Sequence, residues 1–150
     1  NLNWPIGLSG QHIDALARAP LWSIGLDYDH GTGHGIGSYL SVHEGPHGIS
    51  RRNNFPLEPG MLVSNEPGYY EDGKFGIRIE NLIRVKKNKK VYSFDNLTMA
   101  PIDKSLINKN ILKKDEINWL NSYHQDVFDN LKKFMNKSEL LDLKQACSKI

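Results

Sequence analysis

The chain of 150 residues has the length of one ordinary domain, and its 39% apolar and 24% charged residues are typical of a water-soluble globular protein. No apolar run approaches the roughly 20 residues of a membrane-spanning helix, and the N-terminal residues lack the pattern of a secretory signal. A single cysteine, Cys147, excludes an internal disulfide and a cysteine-rich zinc site, so we expect a reducing compartment, the cytoplasm.

Charge is distributed unevenly along the chain. Residues 1–85 contain 6 basic and 9 acidic side chains, a net −3, whereas residues 86–150 contain 13 and 8, a net +5. Carboxylate ligands are therefore expected in the first part. The lysines of the second part are scattered among apolar positions at helical spacing, which favours a solvated surface over a nucleic-acid partner. We expect neither a nucleic-acid nor a membrane partner.

The first predicted element is a helix that follows Ser9, a residue suited to capping a helix N-terminus. Its apolar face includes Ile13, Leu16 and Ala17, and Pro20 is expected near its end. Residues 30–37 then place a glycine at every second position. Glycine costs backbone entropy, so this spacing indicates unusual dihedral angles or a close approach of backbone or ligand.

Short strands are predicted next. Residues 61–65 form a strand that ends at Glu66, because Pro67 cannot donate to a sheet ladder. Residues 75–85 are expected to form one strand, with Arg78 and Glu80 on its polar face. Residues 91–94 are its expected hairpin partner, across a lysine-rich turn at residues 86–90.

The character of the sequence changes after Pro101. Helical spacing over residues 115–134 is set by Ile117, Leu120, His124, Val127, Leu131 and Phe134. Ser138 is expected to cap a last helix that runs to about Cys147.

Four of the six histidines lie between His30 and His47, and this clustering among glycines suggests a metal site. The segment from His43 to His47 matches H-E-x-x-H, the signature of a zinc-protease helix. Glycine and proline at its two middle positions cost a helix about 1 and 3 kcal/mol, so we reject a helical zinc site. The glycine spacing also does not match a nucleotide-binding loop.

A second constellation is spread along the chain: His34 in the glycine-rich loop, Glu66 at a strand end and Glu80 on a strand. A buried glutamate on an apolar strand costs several kcal/mol unless it is paired or bound to a metal. One imidazole and two carboxylates suit manganese, cobalt, zinc or ferrous iron. A plain ion pair between Arg78 and Glu80 is the alternative explanation.

Four blocks together resemble aminopeptidase P, the Xaa-Pro aminopeptidase of the pita-bread metallopeptidase superfamily, which also contains prolidase, creatinase and methionine aminopeptidase. The blocks are His30-Gly-Thr-Gly-His34-Gly, Ser41-Val-His43-Glu-Gly-Pro46, Asn65-Glu66-Pro-Gly-Tyr-Tyr70 and Gly76-Ile-Arg-Ile-Glu-Asn81. Residues 98–102 and 116–121 resemble the C-terminal extension of its three-domain type. The resemblance implies an α+β fold. Residues 1–96 would be the C-terminal half of a pita-bread domain, an antiparallel sheet with a covering helix, and residues 97–150 a helical extension.

The resemblance also implies roles for single residues. His34 and Glu66 would bind one metal ion, Glu80 would bridge two, and Arg78 would orient Glu80. His30 and His43 would hold substrate and stabilise the transition state, while Glu66 helps to move a proton. The implied cofactor is two divalent ions, manganese with zinc or cobalt as alternatives, that activate a water molecule. The implied substrate is a peptide with proline in the second position.

One departure from the family pattern is the missing pair of aspartate ligands, which the family takes from an earlier strand pair. Asp14, Asp27 and Asp29 are the only upstream aspartates, and none fits. We therefore expect a fragment that is inactive alone. A prolidase-like dipeptidase and a non-catalytic pita-bread binding module are the alternatives. The extension would contribute to a homodimer or simply pack as a helix.

Overall fold

The computed structural model describes residues 2–39 and 41–150, so Asn1 and Leu40 lie outside the described residues. The chain divides into two compact units, residues 1–98 and residues 99–150. Antiparallel strands pair in the first unit and α-helices dominate the second, so the expected α+β class is confirmed.

The main sheet of the first unit is antiparallel and has four strands. In spatial order they are β1 (Asn3–Pro5), β8 (Val91–Asn96), β7 (Asn81–Asn88) and β4 (Leu62–Asn65). The predicted hairpin is thus confirmed, with a turn shortened to two residues, of which Lys89 has φ 53°. Apolar side chains of the sheet and of the elements against it form the core: Trp4, Ile13, Ile49, Leu57, Val63, Ile83, Val85 and Tyr92.

Helix α1 (Gly10–Trp22) begins after Ser9 and ends two residues after Pro20, both as predicted. Its predicted apolar face is only partly right. Ile13 is buried, whereas Leu16 is 53% exposed. The rest of the buried face is polar and consists of Asp14 and Arg18.

Two short hairpins complete the first unit. One joins β2 (Gly33–His34) to β3 (Gly48–Ile49), and the other joins β5 (Gly68–Glu71) to β6 (Phe75–Arg78). The expected single strand over residues 75–85 is therefore wrong, because β6 pairs with β5 while β7 pairs in the main sheet. The two residues between them belong to neither strand.

The second unit contains α2 (Lys114–Leu131), a short 3₁₀ turn at Lys132–Phe134 and α3 (Lys137–Ala146), preceded by a 3₁₀ turn at Lys109–Ile111. Tyr123, Val127 and Leu143 form its core. The predicted Ser138 cap is wrong, because the side chain of Asn136 accepts from two backbone N–H groups at the start of α3. The end of the predicted apolar face is also wrong, since Phe134 is 71% exposed.

Among the described residues, no helix is both long enough and apolar enough to span a membrane.

Candidate metal centre

An open cavity of about 340 Å³ collects most of the residues that the sequence suggested. Its lining consists of His30, Gly31, Gly33, His34, His43, Glu66 and Arg78. The cavity thus lies between the glycine-rich loop, the residue that follows β4 and the last residue of β6.

The glycines of this loop allow backbones to approach closely. A Cβ on Gly33 would lie 1.8 Å from the carbonyl oxygen of Ser64, and a Cβ on Gly35 would lie 1.9 Å from that of Glu44. Any side chain at either position would push the loop away from β4 or from residue 44. The alternating glycines therefore set the depth at which His34, between them, enters the site.

His34 and Glu66 form the centre of the cavity. Nε2 of His34 lies 3.3 Å from Oε1 of Glu66, and Glu66 is only 9% exposed. The hydroxyl of Ser64 connects the two residues, because it donates to Oε1 of Glu66 at 2.8 Å and accepts from the backbone N–H of His34 at 2.9 Å. The pair is held from the protein side and open on the cavity side.

The chemistry of this pair fits a divalent cation. Nδ1 of His34 lies 3.0 Å from the carbonyl oxygen of Gly35, so a proton on Nδ1 donates there and Nε2 presents a lone pair. Two bonds of about 2.1 Å that meet at roughly 100° would separate the donor atoms by about 3.2 Å, close to the observed 3.3 Å. Within the described residues, however, no group of three or more His, Cys, Asp or Glu side chains could hold a metal ion.

Arg78 and Tyr70 form the other side of the site. Arg78 donates through Nη1 to Oε2 of Glu66 at 3.3 Å and through Nε to the hydroxyl oxygen of Tyr70 at 2.8 Å. The hydrogen bond with Tyr70 is the main cause that raises the pKa of Arg78 above its ordinary value. Because an arginine is always charged, this arrangement supplies a fixed positive charge beside the Glu66 carboxylate.

Two further histidines, His30 and His43, line the same cavity. The ring of exposed His43 lies 3.9 Å from that of His34, measured between centroids. Nε2 of His30 lies 2.8 Å from the hydroxyl of Tyr70, and Nδ1 lies 2.7 Å from the carbonyl oxygen of Gly31. Both residues line the cavity, so a substrate that enters it could reach them.

Glu80 differs from the other predicted residues. It is exposed, it follows the end of β6, and it is not part of the cavity lining. Its expected burial is therefore wrong, because the β5–β6 hairpin leaves the main sheet and the following residues are solvated. Arg78 was expected to orient Glu80. It donates instead to Glu66, and its interaction with Glu80 is a Coulomb attraction that contributes to its raised pKa. Metal ligation by Glu80 stays a prediction.

Two contributors escaped the sequence analysis. Ser64 lies two residues before Glu66 on β4, so the two-residue periodicity of a strand is a signal that could have found it. Tyr70 lies within the quoted block that starts at Asn65, but nothing in the spacing indicated that its hydroxyl would contact both His30 and Arg78.

Comparison with known families decides the classification. Residues 2–87 match metallopeptidase family M24, and residues 90–150 match the C-terminal region of peptidase M24. The chain belongs to metallopeptidase family M24. The fold expected from the four sequence blocks, part of a pita-bread metallopeptidase domain with a helical extension, is confirmed.

Individual relatives of this M24 chain carry related names. Aminopeptidase P1 of Arabidopsis thaliana is 50% identical over 97% of this chain and 24% of its own length. Probable Xaa-Pro aminopeptidase P of Tuber melanosporum is 53% identical over 91% of this chain and 24% of its own length. The chain thus spans about a quarter of the curated relatives that it matches.

Solved structures agree with the sequence relatives. X-prolyl aminopeptidase of Caenorhabditis elegans, described as a cytosolic enzyme with a di-nuclear active site, superimposes with a TM-score of 0.90 at 41% identity. The match covers 99% of this chain and 26% of that one. Prolidase of Pyrococcus horikoshii matches with a TM-score of 0.53 at 32% identity, over 61% of this chain and 25% of that one.

Proposed function

We propose that these residues form part of the active site of a cytosolic Xaa-Pro aminopeptidase, which removes the first residue from peptides with proline in second position. The observation that carries the proposal is the pairing of His34 Nε2 with Glu66 Oε1 at 3.3 Å in an open cavity bordered by His30 and His43. The 50% identity to Aminopeptidase P1 over 97% of the chain supports the substrate class.

The metal set follows from the same residues. His34, Glu66 and Glu80 would serve as ligands of two divalent ions, manganese with zinc or cobalt as alternatives, and the di-nuclear site of the C. elegans enzyme supports the number two. Once bound, the ions supply Lewis acidity at the scissile carbonyl group. Glu80 would have to approach the cavity from its exposed position beyond β6.

The other residues of the site have proposed roles that follow from their contacts within this chain. Glu66 carries the carboxylate that helps to move a proton, and Arg78 donates to that carboxylate and orients it. His30 and His43 hold the substrate near the scissile bond, since both residues line the cavity. In His30 the hydrogen bond with Tyr70 fixes the direction of Nε2.

The ligand set on this chain is incomplete. Both carboxylate oxygens of Asp14 accept hydrogen bonds within the buried interior, and both oxygens of Asp27 are engaged by Arg18 and Trp22. Neither side chain is available to a metal ion, so neither supplies one of the missing aspartate ligands. Manganese added to this chain alone should therefore give little or no release of N-terminal residues, and robust turnover would contradict the missing ligands. We also propose that residues 97–150 contribute to a homodimer.

A prolidase-like dipeptidase is the second candidate. The match to the prolidase stops at 61% of this chain, whereas Aminopeptidase P1 is matched over 97%. Residues matching the M24 C-terminal region therefore favour the aminopeptidase. A non-catalytic binding module is disfavoured by the presence of His30, His34, His43 and Glu66 in one cavity.

A chimera tests the proposal. This chain replaces the matching quarter of Arabidopsis Aminopeptidase P1, and manganese-dependent release of the first residue is measured on tripeptides with proline or alanine second. We expect cleavage of the proline peptide only. Glu66→Gln should reduce kcat/KM by about 10² to 10⁴-fold. The control Glu71→Gln, on the exposed hairpin, should change little.

Other outcomes of the chimera are informative. Cleavage of Xaa-Pro dipeptides, assayed in parallel, without cleavage of the tripeptides would favour the prolidase-like function. A folded, metal-loaded chimera that cleaves neither substrate would favour the binding module.

A further inference from the structure

A buried ionic network lies under the glycine-rich loop. Its central residue is Arg18 of α1, only 2% exposed, which donates through Nε to Oδ2 of Asp14 at 2.8 Å. Nη1 donates to Oδ1 of Asp27 at 2.7 Å, and the guanidinium stacks 3.9 Å from the centroid of the Tyr28 ring. Asp14 is 1% exposed, so the charges of this pair are removed from water.

The same guanidinium also holds the backbone that leads to His30. Nη1 donates to the carbonyl oxygen of Tyr28 at 2.6 Å, and Nη2 donates to that of His30 at 2.6 Å. Together with the side chain of Asp27, this fixes the segment 27–30 at three points. The planar fork of an arginine can serve all these acceptors at once, whereas the single ammonium group of a lysine cannot.

A second branch of the network leads to Glu66. The hydroxyl of Thr32 donates to Oδ1 of Asp14 at 2.6 Å, so the hydroxyl of Tyr28 must donate to Thr32. The carbonyl oxygen of Thr32 accepts from the backbone N–H of Glu66 at 2.7 Å. The buried Asp14 carboxylate therefore connects α1 to Thr32, and Thr32 in turn holds the backbone of Glu66.

A network for stability alone needs no ions. A buried ion pair is often matched or exceeded in stability by apolar residues of similar volume, because desolvation offsets most of the Coulomb attraction. The planar guanidinium group instead fixes the positions of the several acceptors that it binds. Here every acceptor of Arg18 lies on its own helix or on the segment that carries His30.

We infer that Arg18 is a positioning residue that sets the location of His30 directly and that of Glu66 through Asp14 and Thr32. The importance of Arg18 for catalysis rests on the proposed function, but its effect on the positions of His30 and Glu66 does not. Arg18→Lys keeps one positive charge and removes the fork, and it is therefore the variant that separates charge from position.

Nuclear magnetic resonance of this chain, without added metal and at one fixed pH, tests the inference. In Arg18→Lys we expect changed ring resonances of His30, a changed amide resonance of Glu66 and a weaker contact between the rings of His30 and Tyr70. Methyl resonances of Val63 and Val85 in the core should stay unchanged. The control is Arg84→Lys on β7, which keeps its surface ion pair with Asp95 and should leave all these signals in place.

Thr32→Val and Thr32→Ser keep the test decisive if Arg18→Lys does not fold. The valine variant removes the hydroxyl and should shift the Glu66 amide, while the serine variant keeps the hydroxyl and should restore it. In the chimera, Arg18→Lys should lower kcat/KM by about ten- to a hundredfold at unchanged manganese content. Unchanged His30 and Glu66 resonances in a folded Arg18→Lys variant, or in Thr32→Val, would overturn the inference. An inactive wild-type chimera would count against the proposed function and leave the resonance test intact.

Discussion

The two compact units bury polar groups in different ways. In the described part of residues 1–98 the buried polar side chains are Ser9, Asp14, Arg18, Thr32, Ser64 and Glu66. Most of them join one chain of hydrogen bonds that leads from α1 to the cavity. In the described part of residues 99–150 the buried polar side chain is His124, which bonds within its own unit.

This difference separates a polar interior that positions a site from one that supports packing. Nε2 of His124 accepts from the backbone N–H of Ile102 at 3.0 Å, while Nδ1 has no hydrogen-bond partner among the described residues. Because the first network is ionic and branched, its loss should reach further than the loss of one neutral hydrogen bond. The predictions below test that ranking.

The largest expected effect is that of Arg18→Leu. Removal of the guanidinium leaves the buried Asp14 carboxylate without its charge partner, and such breaks cost about 3–5 kcal/mol. The loss in the free energy of unfolding is measured by urea unfolding of the chain, with hydrogen exchange of the α1 amides as the probe. The matched control is Arg84→Leu on the surface of β7, where an ion pair is worth at most about 1 kcal/mol. A cost for Arg18→Leu no greater than that of the control would refute the ranking.

The corresponding change in the second unit is His124→Leu, with a smaller expected effect. It deprives the Ile102 N–H of its acceptor, which costs about 1–3 kcal/mol in a buried position. Hydrogen exchange of the α2 amides reports on this unit by itself. His124→Gln retains an acceptor and should recover part of the loss. If the leucine variant were as stable as wild type, the hydrogen bond to Ile102 would have no net value.

Acid should weaken the second unit through the same residue. Burial lowers the pKa of His124 below its ordinary value of 6.5, the charge of Lys104 acts in the same direction, and the bond from Ile102 opposes them. The unfolded chain thus binds the proton first, so stability is complete above about pH 6.5 and falls as the pH drops toward the folded-state pKa. Protection of the α2 amides, corrected for intrinsic exchange, should decrease between pH 7.5 and 5.5. His124→Gln should remove that dependence, and an unchanged slope in this variant would assign the effect to another group.

In the first unit, acid should act through Asp27. Partial burial tends to raise the pKa of Asp27, but hydrogen bonds from Trp22, Arg18 and the Tyr28 amide, with the charge of Arg51, hold it well below 3.8. The stability that Asp27 contributes is therefore present above about pH 3.8 and decreases as the pH falls below it. Between pH 5 and pH 3 the free energy of unfolding should fall more for wild type than for Asp27→Asn. An equal decrease in both proteins would show that the ion pairs of Asp27 do not contribute to stability.

The extent to which the sequence predicted these features follows from their physical origin. Helix α2, the β7–β8 hairpin and the end of β4 just before Glu66 depend on local periodicity and on proline, so they could be predicted. The pairing of β6 with β5, and with it the exposure of Glu80, depends on which strand offers a partner, and no local pattern records that.

The polar interior was missed for a related reason. Asp14 and Arg18 are four residues apart, a spacing that usually indicates an ion pair on the surface of a helix. Only the tertiary arrangement of residues 27–32 against α1 makes that pair buried and connects it to the site.

The central claim is that His34 and Glu66 hold a metal ion as part of a larger M24 centre. Its most direct test is the number of manganese ions bound per polypeptide by the purified chimera, by its His34→Ala and Glu66→Gln variants, and by His47→Ala. His47 is a matched control because its ring contacts the carbonyl oxygen of Leu62 at 2.9 Å and does not line the cavity. We expect about two ions for the chimera and the His47 variant, and fewer for the other two variants. Equal manganese content in all four proteins would contradict the assignment of this site.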